Sequence, residues 1–185
     1  MNTRELLLKT AIRLFSERGF DRTSTSLISK TAELGTGTLF KHFSSKEDLI
    51  DEAYIHCKGL FAEGIRPQIN MDGSCRESLE SLWTSGIAWV FENSLEYSFL
   101  MQFESSTVAS RLAQDKVHEK LKFINEILEK GIQNGRIVDL PVHFLLALLG
   151  AQFKAAFLYM NDNPEEPREQ WIKTTFELAW KGIKT

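Results

Sequence analysis

Residues 24–49 read STSLISKTAELGTGTLFKHFSSKEDL, and this stretch decides the fold. Ser24 is a favourable N-cap residue and predicts the start of a short helix. Residues 33–35 form a short link to a second helix, predicted from Thr36 to Phe43. Two short helices joined by about three residues bury little surface alone, so they are expected to pack steeply on a third. The stretch therefore predicts a helix-turn-helix.

Helices are also predicted on both sides of this stretch. A first helix should begin near Thr3 and end at Gly19, because its apolar residues recur at helical spacing: Leu7, Ala11, Leu14 and Phe15. Two overlapping capping boxes predict the start of a long fourth helix: Ser44 with Glu47, and Ser45 with Asp48. From Ser74 onward the chain reads as further helices separated by brief breaks, so the predicted class is all-α.

The second helix of the pair has an outward side that fits a DNA groove. Leu39 and Phe43 are four residues apart and must both face inward. The other faces then carry Thr36, Thr38, Phe40, Lys41 and His42. Gly35 and Gly37 lack side chains where the helix would approach a duplex most closely. A helix-turn-helix also serves as a plain scaffold in helical proteins, and spacing alone leaves that alternative open.

The same residues resemble the signature of the TetR family of transcriptional regulators over about residues 5–54. The match consists of Gly19-Phe20, Thr23-Ser24, Ile28, Ala32, Gly37-Thr38-Leu39-Phe40, His42-Phe43, Ser45-Lys46-Glu47 and Leu49. The resemblance implies an N-terminal three-helix headpiece, continuous with an antiparallel helical body that binds ligand and dimerises. We place the DNA-binding domain at residues 1–50 and the effector-binding and dimerisation domain at 51–185.

The resemblance also implies individual contacts with an operator. Residues at the start of the first short helix would touch the DNA backbone and sometimes a base: Ser24, Thr25 and Ser26. Thr36 and Gly37 align with base-reading positions, and phosphate contacts align with Thr38, His42 and Lys46. Among the remaining outward residues, Lys41 is the best candidate for a guanine edge. The Phe40 ring can pack on a sugar or on a thymine methyl group.

Three residues depart from the family pattern. Glu33 replaces the usual glycine of the turn, at a position that often adopts a left-handed conformation. Either Gly35 absorbs the strain or the turn is reshaped. Gly35 also replaces the usual N-cap serine, and Phe40 replaces a tyrosine that could hydrogen-bond a phosphate.

The last two helices carry wide apolar stripes, and the resemblance implies that they form a homodimer interface. The predicted interface residues are Leu145, Leu148, Gln152, Ile172, Phe176 and Trp180. Two-fold symmetry would match a palindromic operator whose half-sites lie about one helical turn, or a multiple of it, apart. The alternative is that both stripes pack only within one chain.

The body is also expected to bind a small effector. Aromatic residues are abundant in the middle helices, although an aromatic stripe is more often core than ligand site. The effector is expected to be hydrophobic or aromatic, with a pocket formed by Trp83, Phe99, Met101, Phe103, Phe123 and Phe153. Binding would swing the helix of residues 46–65 and change the spacing of the two headpieces. Release of DNA is the usual response in the family.

Composition restricts the other classes of protein. The formal net charge is −3, but residues 1–50 carry eight basic and six acidic groups and are mildly basic. The most apolar stretch, Phe144 to Phe153, is too short to span a bilayer, and the start lacks a signal-peptide pattern, so we expect a cytoplasmic protein. No catalytic motif, metal-ligand spacing or cofactor loop is evident. The alternatives are a helical ligand-binding or interaction module without DNA binding, or an all-α enzyme.

Overall fold

A computed structural model describes residues 2–106 and 111–185. These residues form ten α-helices and one short 3₁₀ helix, and none of them lies in a β-strand, which confirms the all-α class. The α-helices are α1 (Thr3–Arg18), α2 (Thr25–Thr31), α3 (Thr36–His42), α4 (Lys46–Ile65), α5 (Cys75–Glu92), α6 (Ser94–Glu104), α7 (Arg111–Lys120), α8 (Lys122–Gln133), α9 (Val142–Asp162) and α10 (Arg168–Ile183).

The chain divides into two compact units. The first unit comprises Met1–Leu60 and Asn93–Lys120, and the second comprises Phe61–Glu92 and Leu121–Thr185. The first unit also contains α6 and α7, which lie within the sequence range of the predicted effector-binding and dimerisation domain (51–185). Helix α4 contributes most of its length to the first unit and its last residues to the second.

An aromatic cluster holds α1 against α6 in the first unit. Phe15 and Phe20 lie with their ring centroids 5.3 Å apart, and the Phe20 ring meets Phe99 edge-on at 5.7 Å. Phe103 also stacks on Tyr54 of α4 at 4.0 Å. Apolar burial of this kind is the main stabilising contribution to a small helical unit. Helix α6 is therefore part of the scaffold that carries the helix-turn-helix.

The second unit is built around α5, which packs against α8, α9 and α10. Trp83 of α5 is buried, with its ring centroid 5.5 Å from that of Phe153 and 6.4 Å from that of Phe176. The indole nitrogen donates a hydrogen bond to Thr175 Oγ1 at 3.2 Å, which satisfies the one polar group of this buried side chain.

Helix α9 corrects one expectation from the sequence. The apolar stretch does not stop at Phe153 but continues in a 21-residue helix that is long and apolar enough, by length and composition, to cross a membrane. Lys154 follows Phe153 in the sequence, but further apolar residues come after it on the same helix. Only 17% of the most apolar window of α9 is buried, so the helix presents an apolar face to its surroundings.

Candidate nucleic-acid interface

The two short helices begin as the sequence predicted. The Ser24 hydroxyl accepts a hydrogen bond from the Leu27 amide at 3.1 Å and caps α2. Gly35 is the N-cap of α3 and has no side chain with which to cap it. Ile28, Leu39 and Phe43 are fully buried, so both helices direct one face into the core of the first unit. The inward orientation predicted for Leu39 and Phe43 is confirmed.

Thr23 fastens the start of α2 to the end of α1. Its buried hydroxyl donates to the carbonyls of Gly19 and Leu14, at 2.8 and 3.2 Å. The Gly19 carbonyl follows the last turn of α1, where backbone acceptors lack helical partners, and Leu14 lies one turn earlier in the helix. Thr23 entered the sequence analysis only as part of the family match, because nothing local in the sequence indicates which carbonyls its hydroxyl meets.

The backbone strain in the turn between α2 and α3 lies at Glu33. Glu33 itself adopts the left-handed conformation, with φ 57°, whereas Gly35 is extended with φ −71°. The Glu33 amide donates to the Lys30 carbonyl at 3.1 Å, and the Leu34 amide donates to Ser29 at 2.9 Å. These two bonds are those of a Schellman motif, in which glycine usually holds the left-handed position. Neither predicted alternative holds, because the turn keeps its shape and Glu33 carries the strain.

The outward side of α3 is exposed. Thr36, Gly37, Lys41 and His42 are exposed, Thr38 is half-buried, and the Phe40 side chain is 49% exposed. A Cβ atom built on Gly37 would meet nothing within 4 Å. Glycine inside a helix costs about 0.5–1 kcal/mol relative to alanine. Among the residues that the structure describes, no contact requires a glycine at this position.

The residues aligned with backbone contacts flank α3. Ser24 and Ser26 are exposed and Thr25 is half-buried at the start of α2. Lys46, at the start of α4, donates from Nζ to the Phe20 carbonyl at 2.6 Å. This bond links α4 to the segment between α1 and α2, so Lys46 has a structural contact that the sequence analysis did not foresee. Its ammonium group has two further donors for a phosphate.

The first turn of α4 is capped by hydrogen bonds that differ from the two predicted capping boxes, because Asp48 bonds both Ser44 and Ser45. The Asp48 amide donates to Ser45 Oγ at 3.1 Å, while the Asp48 carboxylate accepts from the amide and hydroxyl of Ser44 at 2.7 and 3.1 Å. Hydrogen bonds from its own amide and from the Ser45 hydroxyl lower the pKa of the Glu47 carboxyl. These negative groups suit the positive end of the helix dipole.

Arg4 braces the headpiece from the start of α1. Its guanidinium pairs with Glu52 of α4 and lies 5.1 Å from the centroid of the Phe43 ring, which ends α3. Glu52 also lies 3.5 Å from the Lys116 ammonium of α7. Sequence reasoning missed this cluster, because its members are separated by tens of residues and no local pattern connects them.

The residues predicted for an effector pocket fall into both units. Phe99 and Phe103 are buried in the aromatic cluster of the first unit, so the structure gives them a core position, and Met101 is half-buried in the same helix. Trp83, Phe123 and Phe153 belong to the second unit. Among these, Trp83 and Phe153 are in contact, and Phe153 lies 3.0 Å from the position of a Cβ on Gly86.

The predicted dimer residues divide between core and surface. Leu145 and Phe176 are buried within their own chain, and the Phe176 ring lies 6.4 Å from that of Trp83 of α5. Leu148, Gln152, Ile172 and Trp180 are half-buried. The large apolar side chains that α9 and α10 expose are instead Phe144, Leu158, Tyr159 and Leu178.

Comparison with known proteins places the chain among bacterial regulators. Residues 7–53 match the model for bacterial regulatory proteins of the tetR family, and residues 54–185 match the tetracyclin repressor-like C-terminal domain. A crystal structure from Shewanella sp. PV-4, assigned to the tetR family of transcription regulators, is 29% identical and covers 100% of both chains with a TM-score of 0.94.

Two relatives come from Bacillus subtilis. The fatty acid metabolism regulator protein is 24% identical over 138 residues, which is 72% of this chain and 70% of the relative. The structure of the transcriptional regulator FadR in complex with stearoyl-CoA has a TM-score of 0.75 at 21% identity, and covers 97% of this chain and 98% of FadR. This last likeness concerns the fold.

Proposed function

Because the chain belongs to the TetR family of bacterial regulatory proteins, we propose that α2, α3 and the first turn of α4 form the surface with which it binds operator DNA. The protein is a DNA-binding transcriptional regulator, and ligand-responsive repression is typical of its family. The proposed contact residues are Ser24, Thr25, Ser26, Thr36, Gly37, Thr38, Phe40, Lys41, His42 and Lys46.

The outward side of α3 is the observation that carries this proposal. Leu39 and Phe43 fix the helix on the core, and the remaining residues leave it accessible. Lys41 and His42 add donors on that side, and Gly37 removes a side chain from it. A helix of this kind enters the major groove with its N-terminal residues against the base edges.

Selection of bound duplexes from a random pool tests the proposal, followed by a salt titration on the selected and an unselected duplex. We expect two related half-sites about one helical turn, or a multiple of it, apart. Affinity should fall steeply with salt, because cationic groups displace counterions from the phosphates. An interaction module without DNA binding, or an enzyme, would enrich no sequence and show a log–log slope near zero.

The exposed apolar face of α9 supports a homodimer. Its exposed residues recur at spacings of three and four, with large side chains at the ends and small ones between them: Phe144, Ala147, Ala151, Ala155 and Leu158. An apolar stripe of this period is suited to packing against another helix. Leu178 of α10 is 61% exposed and adds to the same kind of surface. We place the partner, a second copy of the chain, on this face, with Leu148, Gln152, Ile172 and Trp180 at its margins.

The effector is proposed to be a hydrophobic molecule bound within the second unit. Trp83, Phe123 and Phe153 supply apolar surface there, and one relative is named for fatty acid metabolism while another was crystallised with stearoyl-CoA. All four tryptophans lie in the second unit, so their fluorescence reports on this unit alone. Stearoyl-CoA should change the fluorescence and weaken operator binding, whereas coenzyme A alone should do neither. No change with either compound would exclude a long acyl effector.

The protein is proposed to act in the cytoplasm. Its response to effector is proposed to pass through α4. Residues of α4 belong to both units, so a shift of this helix in the second unit would move the headpiece. The effector can act only through its different affinities for the two conformations. Effector binding would therefore favour a spacing of the two headpieces that no longer fits the operator.

A further inference from the structure

Phe40 is an aromatic side chain that the fold itself does not bury. It lies on α3 between the fully buried Leu39 and the exposed Lys41, and 49% of its surface remains accessible. A phenyl ring at such a position gains little from the core and leaves apolar surface in water. The ring also lacks a hydroxyl group, so it cannot donate a hydrogen bond to a phosphate.

Phe40 and Gly37 lie on one side of α3, because residues three apart in a helix are neighbours. In helices, long side chains incline toward the N-terminus, over the residues three and four positions earlier. For Phe40 these residues are Gly37 and Thr36. Gly37 has no side chain, and a Cβ at its position would meet no atom of the described residues within 4 Å. The space that Gly37 leaves open and the exposed ring of Phe40 thus occupy one side of α3.

The chemistry of the major groove then identifies what the ring would meet. Base edges there present hydrogen-bond donors and acceptors, except for the C5-methyl group of thymine, which is apolar. A phenyl ring offers no hydrogen bond and is suited to that methyl group. We infer that Phe40 recognises the 5-methyl group of one thymine in each half-site of the operator. This inference rests on the proposed function.

Replacement of each operator thymine by deoxyuridine tests the inference, because it removes the methyl group and keeps every hydrogen bond of the base pair. With the full chain and its selected operator, one substitution per half-site should weaken binding about fourfold, the effect of losing one buried methyl group. The Phe40→Ala variant should bind the deoxyuridine operator and the thymine operator with equal affinity. Unfolding by urea and binding to random duplex DNA check that this variant is folded and still contacts phosphates.

The outcomes separate this inference from the proposed function. If no sequence is selected from the pool, the proposed DNA binding itself fails. If an operator is selected but deoxyuridine weakens the wild-type protein and Phe40→Ala equally, another residue contacts the methyl group and the inference is wrong. A third outcome is that deoxyuridine has no effect at any thymine while Phe40→Ala weakens binding. The ring would then pack on the deoxyribose, and the inference would again be wrong.

Discussion

Glu33 holds a conformation that its side chain disfavours. The left-handed region costs a residue with a Cβ roughly 1 kcal/mol relative to glycine. The two hydrogen bonds of the Schellman motif hold the turn in place despite this cost. The sequence predicted strain in this turn, but not which residue would bear it, because φ depends on how α3 docks on the core.

Glu33→Gly is expected to stabilise the protein by about 1 kcal/mol, since glycine adopts φ near +57° without strain. It should also strengthen binding to any DNA sequence, since it removes a negative charge from the turn that precedes α3. Urea denaturation and salt-dependent DNA binding measure the two effects. Glu33→Gln is the matched control, because it removes the charge and keeps the strain. Equal stability of the glycine and glutamine variants would refute a strained turn.

Gly37→Ala should have opposite effects on folding and on DNA binding. A helical alanine in place of glycine is expected to stabilise α3 by about 0.5–1 kcal/mol, because the added Cβ meets open space. Operator affinity should fall, because the same Cβ would then stand between the helix and the bases. Gly59→Ala in α4 is the control, because its added Cβ would lie 3.5 Å from Lys120 Nζ, an ordinary van der Waals distance. If Gly37→Ala bound the operator as tightly as this control, α3 would not approach DNA closely.

At the scale of the helices, local features were predictable and long-range partners were not. The N-cap at Ser24 and the inward pair Leu39 and Phe43 depend on neighbours a few residues away, and both predictions hold. The contact between Arg4 and Glu52 joins residues 48 positions apart. Periodicity shows which face of a helix is apolar, but not which helix covers it. The packing of α6 on α1 could not be predicted for this reason.

Lys46→Met is expected to have two separable consequences. Loss of the hydrogen bond to the Phe20 carbonyl should destabilise the first unit by about 1 kcal/mol. Loss of a phosphate contact should weaken binding to all DNA sequences alike and lower the salt slope by about one. Lys41→Met is the comparison, since Lys41 is exposed and its loss should change sequence preference without changing stability. Unaltered affinity of Lys46→Met for random duplex DNA would leave Lys46 with a structural role alone.

For the whole molecule, the sequence predicted that α9 is rich in apolar residues, but not which of these residues remain exposed in the folded chain. The sequence showed that α9 is apolar on most sides, and it assigned Leu145 to an interface. In the structure Leu145 is buried, and Phe144 beside it is 50% exposed. Neighbouring residues of a helix point about 100° apart, so one can lie in the core and the next on the surface. Phe99 and Phe103 were assigned to a pocket because aromatic residues serve both cores and ligand sites.

A glutamate on the exposed apolar face should dissociate the proposed dimer. Leu158→Glu and Leu178→Glu place a charge on that face without entering the core, since both leucines are exposed. Each should weaken self-association about thirtyfold or more, because a charge buried at an interface without a partner is strongly unfavourable. Sedimentation velocity measures this, and Met71→Glu, at another exposed apolar residue, is the control. Dimers that persist in both leucine variants would show that the chain associates through another surface.

The account depends most on the position of α3 in a DNA groove, and DNA cleavage from that helix tests it directly. Cys57 and Cys75 are buried, so a cleavage reagent on Lys41→Cys would attach mainly at α3. With the selected operator, cuts should cluster in two half-sites about one helical turn, or a multiple of it, apart. A reagent placed on α10 by Lys173→Cys should not reproduce this pattern. Cuts spread evenly along the operator, at protein concentrations that saturate it, would contradict the central claim.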